Sequence, residues 1–178
     1  MDIYDKLTLL YSAKEISLRI AEMGKELSKN FDNKEPIFIG VLNGSFIFLA
    51  DLIRTVSIDC NIEFIQLKSY EGMVSSGKVE VIKMISSNLN NRHVVIVEDI
   101  IETGNTLKFL YDKITQSFPK SITTVTLLKK NMKNQLNFDI DLIGFEIPQD
   151  FVVGYGLDYN QKYRNLDGIY HLSNNNNA

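Results

Sequence analysis

Three carboxylates and a small hydroxyl-rich turn stand at the end of one apolar run, in the stretch VVIVEDIIETGNTL from Val94 to Leu107. Glu98 and Asp99 come directly after four apolar residues, and Glu102 directly precedes Thr-Gly-Asn-Thr. Carboxylates at the buried edge of a strand are costly to desolvate, so a purely structural role does not explain all three. Such acids suit neutral hydroxyl groups or a divalent cation.

The turn after the acids is predicted to be an anion site, because apolar residues at helical spacing follow it and a helix is expected to begin there. A helix N-terminus presents free N–H groups and a partial positive charge. Gly104 lets the backbone approach a ligand closely, and the flanking threonines offer hydroxyl donors. Together with the acids, the turn predicts binding of a phosphorylated sugar. The alternative, in which Thr103 only caps a helix and the acids only favour its dipole, stays open.

Strand patterns and helical patterns alternate along the chain, which predicts an α/β fold with a parallel-sheet core and flanking helices. Ligands in such sheets bind beyond the carboxyl ends of the strands, where the opening stretch lies. Ser12 and Glu15 predict a capped first helix, and Asn43-Gly44-Ser45 a turn into a second helix that ends near Arg54. The predicted strands are 37–42, 58–64, 78–85, 94–97, 121–128 and 140–145.

Bulk properties exclude several classes of protein. A length of 178 residues favours a single domain, and a net charge of −3 argues against nucleic-acid binding. The single cysteine fits a reducing compartment, and the acidic start does not resemble a signal peptide. The longest uncharged stretch, 36–50, is too short to span a bilayer. We therefore expect a cytoplasmic protein that does not contact membranes.

The opening stretch resembles the phosphoribosyl-diphosphate signature of the type I phosphoribosyltransferases. Four further segments resemble the hypoxanthine-guanine branch of that family: LNGSFIFLADL from Leu42, LKSY from Leu67, TLLKK from Thr126 and FVVGYGLDYNQKYRNL from Phe151. The similarity runs in order over roughly residues 10–172, and the last segment is specific to enzymes that act on 6-oxopurines.

The resemblance implies the type I phosphoribosyltransferase fold, with residues 1–178 in one domain. A small hood over the base would be formed by the N-terminal segment and about residues 147–172, and residues 173–178 would be a polar tail. The resemblance also implies Mg²⁺ as cofactor, a 6-oxopurine and phosphoribosyl diphosphate as substrates, and a homodimer or homotetramer.

Site residues follow from the resemblance position by position. Those for the ribose hydroxyls would be Glu98 and Asp99, and those for the 5′-phosphate would be Thr103, Gly104, Asn105 and Thr106. The base would be bound by Lys130 at O6, by the ring of Phe151, by the backbone of Val152 and by Asp158. The diphosphate would be bound by Leu42, Asn43, Gly44 and Arg164, and the metal by Asp158 together with Glu98 and Asp99. Ser69 and Tyr70 would lie on a lid, within a polar segment, 69–78, that is predicted to be mobile. The catalytic residue would be Glu102, beside N7 of the purine.

Two residues depart from the usual pattern of the branch. Glu102 stands where an aspartate is usual, which keeps the carboxylate but moves it by one methylene. Asn43 stands where a lysine or arginine is usual before the loop glycine, which removes a cation from a site for a multiply charged leaving group. The first departure bears on the rate and the second on the affinity for the diphosphate.

The expected activity is purine salvage: transfer of the phosphoribosyl group to N9 of hypoxanthine or guanine, giving IMP or GMP and pyrophosphate. The alternative is a weakly catalytic or non-catalytic module of the same fold that senses phosphoribosyl diphosphate or a nucleotide. Ordinary structural roles are the competing interpretation of single residues, with Lys130 as a solvated cation, Phe151 and Tyr155 as core aromatics and Asp158 as a turn residue.

Overall fold

The computed structural model describes residues 7–69, 79–83, 85–131 and 136–173, with backbone alone at 68, 69, 79 and 80. Ser69 therefore has a described backbone, whereas Tyr70 and the rest of the predicted lid lie outside the described residues. No helix in these ranges is long and apolar enough to cross a membrane. In chain order the elements are β1 (Leu7–Tyr11), α1 (Ala13–Asn30), β2 (Ile37–Leu42), α2 (Phe46–Thr55), β3 (Asn61–Ser69), β4 (Val79–Lys83), β5 (His93–Ile101), α3 (Asn105–Thr115), β6 (Ser121–Lys130), β7 (Leu142–Ile147), β8 (Val152–Val153) and β9 (Ile169–Leu172).

A six-stranded sheet in the order β4-β3-β2-β5-β6-β7 forms the centre of the molecule. Strands β3, β2, β5, β6 and β7 are parallel, and β4 pairs antiparallel with β3 at one edge. The chain returns through helices between the parallel strands β2 and β3 and between β5 and β6, as such connections require. The predicted α/β class with a parallel core is confirmed.

Both faces of this sheet are covered, because successive side chains of a strand point to opposite faces. Phe38, Val95 and Val97 pack with the buried faces of α1 and α2. Ile39 and Ile96 pack on the opposite face with the buried residues of α3. The first helix begins as predicted: the Ser12 side chain accepts from the backbone N–H of Glu15, and the Glu15 side chain accepts from the backbone N–H of Ser12.

A second, three-stranded sheet in the order β1-β9-β8 joins the two ends of the described chain. Both of its pairings are antiparallel, β1 with β9 and β8 with β9. Val152 and Ile169 of this sheet are buried in the same core as α1 and α2. The described start of the chain and two segments after residue 147 are thus held together in one sheet. That this sheet is a hood over a base stays a prediction.

Several strand boundaries differ from the sequence predictions. Strand β3 ends at Ser69 instead of 64, and β7 runs over Leu142–Ile147 instead of 140–145. Strand β5 continues through Ile101 instead of ending at Val97, because β6 pairs with it as far as Lys129. Lys130 accordingly ends β6 instead of following it. Strand β3 begins at Asn61, not at Ile58, because its pairing with β2 begins where β2 does, at Ile37.

Candidate active site

A cleft of about 310 Å³ opens at the carboxyl-terminal edge of the parallel strands, between the central sheet and the smaller sheet. It is the position that open α/β sheets favour for ligands. The cleft is lined by Val41, Leu42, Asn43, Gly44, Leu67, Glu98, Asp99, Ile100, Glu102, Thr106, Lys130, Phe151, Val152, Leu157, Asp158 and Arg164. Most of the predicted site residues are therefore brought together.

Two adjacent carboxylates, Glu98 and Asp99, lie at the floor of the cleft within β5. Glu98 is 7% exposed, and within the described residues its Oε2 is buried without a hydrogen-bond partner. Burial raises the pKa of Glu98 well above its ordinary value, and the charge of Asp99 raises it further. Burial raises the pKa of Asp99 to about 6, although backbone N–H groups and Arg164 act in the opposite direction. An orphaned acceptor and two carboxyls that resist ionisation describe a site that is completed by a ligand.

The turn from Glu102 to Thr106 leads from β5 into α3. Gly104, at φ 81°, occupies the N-cap of α3, so Thr103 is not the cap. The left-handed backbone favours glycine, and a Cβ at this position would also press on the side chain of Leu136. Gly104 offers no side chain to cap α3, and the Thr103 hydroxyl accepts only a long bond of 3.5 Å from the Asn105 N–H, so the first N–H groups of the helix can bind an anion. Of the four predicted phosphate residues, Thr106 lines the cleft, and Thr103, Gly104 and Asn105 form the turn beside it.

The loop between β2 and α2 forms another wall. It includes a cis peptide bond between Leu42 and Asn43, and it is closed by a bond of 2.6 Å from the Ser45 hydroxyl to the Val41 carbonyl. Gly44 packs so closely on the Asp99 carboxylate that a Cβ there would overlap it. The predicted diphosphate loop and the predicted ribose acids are thus in direct contact.

Lys130 and Glu102 form an ion pair across the ends of β6 and β5, with Nζ donating to Oε1. The side chain of Lys130 is only 8% exposed, whereas that of Glu102 is 48% exposed and faces the open cleft. The parallel pairing of Ile101 with Lys129 explains the contact, because it brings the next residues of both strands side by side. A buried ammonium group with a carboxylate partner is not the solvated surface cation of the competing interpretation.

The roof of the cleft comes from the smaller sheet and the segment after it. Phe151 is 43% exposed, with its ring edge-on to Tyr159 at 5.7 Å between centroids. Val152 is buried in β8, where it pairs with His171. A half-exposed aromatic ring at a cleft supplies a face on which a planar ligand can stack. Tyr155, in contrast, is 7% exposed and belongs to the core.

Asp158 and Arg164 are joined by an ion pair of 2.7 Å, and both side chains are mostly buried. Asp158 also accepts from the backbone N–H of Gln161 at 2.8 Å, and Arg164 donates to the Gly156 carbonyl at 2.8 Å. The predicted metal ligands Asp158, Glu98 and Asp99 share the cleft, yet the described residues contain no cluster of three metal-ligating side chains. The assignment of these three residues to a metal therefore stays a prediction, and in this structure Asp158 is paired with Arg164.

Comparison with known proteins agrees with this geometry. Residues 7–160 match the family described as "Phosphoribosyl transferase domain". The chain belongs to the phosphoribosyltransferase family. It is 42% identical over 166 residues to the hypoxanthine phosphoribosyltransferase of Buchnera aphidicola, covering 92% of this chain and 94% of that protein. It is 39% identical over 167 residues to the hypoxanthine-guanine phosphoribosyltransferase of Aquifex aeolicus, covering 93% and 94%. The crystal structure of a hypoxanthine phosphoribosyltransferase from Staphylococcus aureus superposes with a TM-score of 0.91 at 37% identity, covering 96% of this chain and 94% of that one.

Four apolar residues of this phosphoribosyltransferase line the cleft but were not predicted as site residues: Val41, Leu67, Ile100 and Leu157. Ile100 follows Glu98 by two residues within β5, so the period of a strand could have placed it on the same side. The other three carry no chemical group that distinguishes them from core residues. Only the pairing of distant strands brings them to the cleft.

Proposed function

We propose that this chain transfers a phosphoribosyl group from phosphoribosyl diphosphate to N9 of hypoxanthine or guanine, releasing pyrophosphate. The observation that carries the proposal is the pairing of Lys130 with Glu102 in the same cleft as Glu98 and Asp99. Glu98 there has a buried oxygen without a hydrogen-bond partner among the described residues. The names of the relatives, which match this chain over more than nine-tenths of its length, support the same reaction.

The paired side chains match one edge of a 6-oxopurine. O6 and N7 lie next to each other on that edge. The ammonium of Lys130 has three donors, so it can donate to O6 while it also donates to Glu102. Glu102 can accept a proton from N7 when N7 is protonated. Adenine presents an amino group instead of O6, and a donor would then face the donors of Lys130. Phe151, half exposed above this pair, supplies the ring for stacking.

The sugar and its phosphate would occupy the other end of the cleft. Glu98 and Asp99 accept hydrogen bonds from the ribose hydroxyls, which would satisfy the buried Oε2 of Glu98. The free N–H groups at the start of α3, together with Thr103 and Thr106, face the 5′-phosphate. Asn43, Gly44 and Arg164 line the same cleft and would face the leaving group.

The acids fit Mg²⁺ if the ligand supplies further oxygens. Mg²⁺ is usually bound by one or two carboxylates together with substrate phosphates, so the absence of a three-residue cluster among the described residues does not conflict with it. Glu98 and Asp99, with raised pKa values at the cleft floor, would hold the ion, and Asp158 is positioned towards the diphosphate side beside Arg164. When bound, Mg²⁺ supplies charge neutralisation to the departing pyrophosphate.

The reaction exchanges one bond at C1′ of the ribose for another. The C1′–O bond to pyrophosphate breaks with its electron pair on oxygen, and the N9 lone pair forms the new bond to C1′. Glu102 takes the N7 proton that the purine loses, and its carboxylate also faces positive charge that develops on the sugar. Arg164 stabilises the negative charge of the leaving group.

The deciding experiment mixes the protein with Mg²⁺, phosphoribosyl diphosphate and one purine at a time, and measures pyrophosphate release. We expect release with hypoxanthine or guanine and none with adenine. Binding of phosphoribosyl diphosphate without release for any purine would favour the sensing module instead. The same protein, examined by sedimentation, tests the proposed homodimer or homotetramer.

A further inference from the structure

The segment Gly154–Gly156, which follows β8, has a left-handed backbone at three consecutive residues, with φ values of 98°, 50° and 99°. This conformation costs a non-glycine residue conformational free energy, so contacts around Tyr155 must stabilise it. Two backbone hydrogen bonds hold this conformation. The Tyr155 N–H donates to the Leu166 carbonyl at 2.9 Å, and the Gly156 N–H donates to the Arg164 carbonyl at 3.0 Å. This segment is called the hood turn below.

The hood turn rests directly on the loop between β2 and α2. Gly156 lies so close to the Gly44 carbonyl that a Cβ on Gly156 would overlap the oxygen. Gly44 in turn packs on the Asp99 carboxylate. A continuous series of backbone contacts therefore runs from the base side of the cleft, through the loop, to the ribose side.

One side-chain hydrogen bond fastens this contact. The Tyr155 hydroxyl donates to Asp51 Oδ2 at 2.5 Å, across 104 residues of sequence. Asp51 lies in α2, the helix that begins immediately after the loop and whose Phe48, Leu49 and Leu52 are fully buried. Burial raises the pKa of Tyr155, and the hydrogen bond and charge of Asp51 raise it further, so the hydroxyl keeps its proton at all ordinary pH values. The bond thus ties the hood turn to a rigid element that carries the loop.

We infer that Asp51 and Tyr155 are a positioning pair, which holds the hood turn against the Gly44 loop and so couples binding of the purine to binding of the diphosphate. The inference rests on the proposed function. Neither side chain lines the cleft, so the pair acts through the backbone of Gly156 and Gly44 and not by touching a substrate.

The competing interpretation is that Tyr155 is only a core residue. It would then matter for stability and for nothing else, because its ring packs in the same core as α1 and α2. Tyr155→Phe keeps the ring and removes only the hydroxyl, so it separates the two interpretations. Coupling between two ligands is the readout that a merely structural role would not change.

The test measures the dissociation constant of phosphoribosyl diphosphate with Mg²⁺, with and without saturating 9-deazahypoxanthine. This base carries carbon in place of N9, so transfer cannot occur. The ratio of the two constants is the coupling factor. We expect the parent protein to bind more tightly when the base is present. In Tyr155→Phe and in Asp51→Ala the factor should fall by about fivefold or more.

Three further variants sharpen the result. Tyr170→Phe removes a hydroxyl from β9 in the same small sheet and should leave the factor unchanged. Asp51→Asn keeps an acceptor oxygen and should retain most of the coupling. The double variant Tyr155→Phe with Asp51→Ala should have about the coupling factor of either single variant, since both remove the same hydrogen bond and the further pair of Asp51 with Arg54, at 3.5 Å, is exposed. A coupling factor that is unchanged in Tyr155→Phe and Asp51→Ala, or a parent protein without coupling, would overturn the inference. Pyrophosphate release by the parent, measured in parallel, tests the proposed function separately.

Discussion

The two halves of the cleft are built in different ways. The half proposed to bind the sugar and its phosphate is called the sugar-phosphate half below, and the half proposed to bind the purine is called the base half. The sugar-phosphate half comes from consecutive residues of β5, the turn and α3, between Glu98 and Thr106. In that segment only Gly104 has a positive φ. The base half is assembled from the end of β6 and from the chain after β7, and there Tyr155, Asn160, Gln161 and Tyr163 have left-handed backbone without being glycine. One half is fixed by local chemistry and the other by long-range contacts.

This difference suggests that the sugar-phosphate half mainly determines turnover and that the base half mainly determines which purine is bound. A strand, a turn and a helix N-terminus hold the sugar-phosphate half in place, and each is a regular element with its own hydrogen bonds. The base half depends on individual contacts such as Phe151 with Tyr159 and Tyr155 with Asp51. Substitutions in the first half should therefore change turnover or ligand-free stability, and those in the second should change which base is bound and how tightly.

The largest effect is expected at Glu102, where the two halves meet. Glu102→Gln keeps the size of the side chain but removes the charge that accepts the N7 proton, so kcat should fall by about 10²–10⁴-fold. Binding of phosphoribosyl diphosphate should be nearly intact, because the carboxylate does not bind the phosphate. Steady-state kinetics and calorimetry check both statements.

Two controls belong to this experiment. Glu102→Asp keeps a carboxylate and restores the residue that is usual in the branch, so it should remain active. Glu146→Gln neutralises the glutamate of the neighbouring, more exposed ion pair, in which Lys129 and Glu146 are 3.4 Å apart, and should leave kcat unchanged. If Glu102→Gln turned over at the parent rate, Glu102 would have no catalytic role, and its carboxylate would only stabilise the N-terminus of α3.

The same contrast explains how much could be predicted from sequence. The alternation of strands and helices, the helix cap at Ser12 and the acids before the turn are local patterns. They predicted the α/β fold, which is confirmed, and a site for a phosphorylated sugar, which stays a prediction. The length of β5 beyond Val97 depends on its pairing with β6, and the ion pairs of Lys130 and Asp158 join residues that are distant or lie in irregular backbone. Resemblance alone placed those residues near the base.

The next effect concerns base recognition. If Lys130 donates to O6, Lys130→Ala should lower kcat/KM for hypoxanthine. The fall should correspond to a loss of about 1–3 kcal/mol in transition-state stabilisation, which is the loss expected for a charged hydrogen bond. KM for phosphoribosyl diphosphate should change much less, because Lys130 belongs to the base half. Lys129→Ala is the matched control, since it removes an adjacent lysine that is 26% exposed and pairs outside the cleft. If both variants lost the same kcat/KM for hypoxanthine, Lys130 would not be the residue that donates to O6.

A smaller effect is expected on the stability of the ligand-free protein. The pKa of Asp99 is about 6 in the folded protein and 3.8 without its surroundings, so between these values the folded state holds a proton that the unfolded chain has released. Stability should therefore fall as the pH rises through that window. Asp99→Asn should reduce this dependence to the part that comes from the raised pKa of Glu98, and should raise the free energy of unfolding at pH 7 by about 1–2 kcal/mol.

Chemical denaturation at pH 4.5 and pH 7 measures the change at Asp99. The exposed Asp112, which pairs with Lys108 on α3, provides the control Asp112→Asn, and that variant should keep the parent's pH dependence. Asp99→Asn should at the same time weaken binding of phosphoribosyl diphosphate, because an acceptor for the ribose hydroxyls is altered. If Asp99→Asn were less stable than the parent at pH 7, the charged Asp99 carboxylate would not destabilise the ligand-free protein, and the prediction would be wrong.

The smallest effect is expected at Asn43, on the loop that the hood turn touches. The Asn43 side chain accepts a weak hydrogen bond of 3.4 Å from Gln66, and no cation stands at this position of the loop. Asn43→Lys or Asn43→Arg should lower KM for phosphoribosyl diphosphate by about two- to fivefold, the gain expected for an exposed ion pair of less than about 1 kcal/mol. The gain should shrink as salt is added, because exposed charges are screened.

Asn30→Lys adds the same charge at the distant end of α1 and should leave KM unchanged, which separates a local contact from a change in net charge. An unaltered KM in both loop variants would mean that backbone N–H groups already bind the pyrophosphate, and the loop would then resemble the helix start in relying on backbone alone.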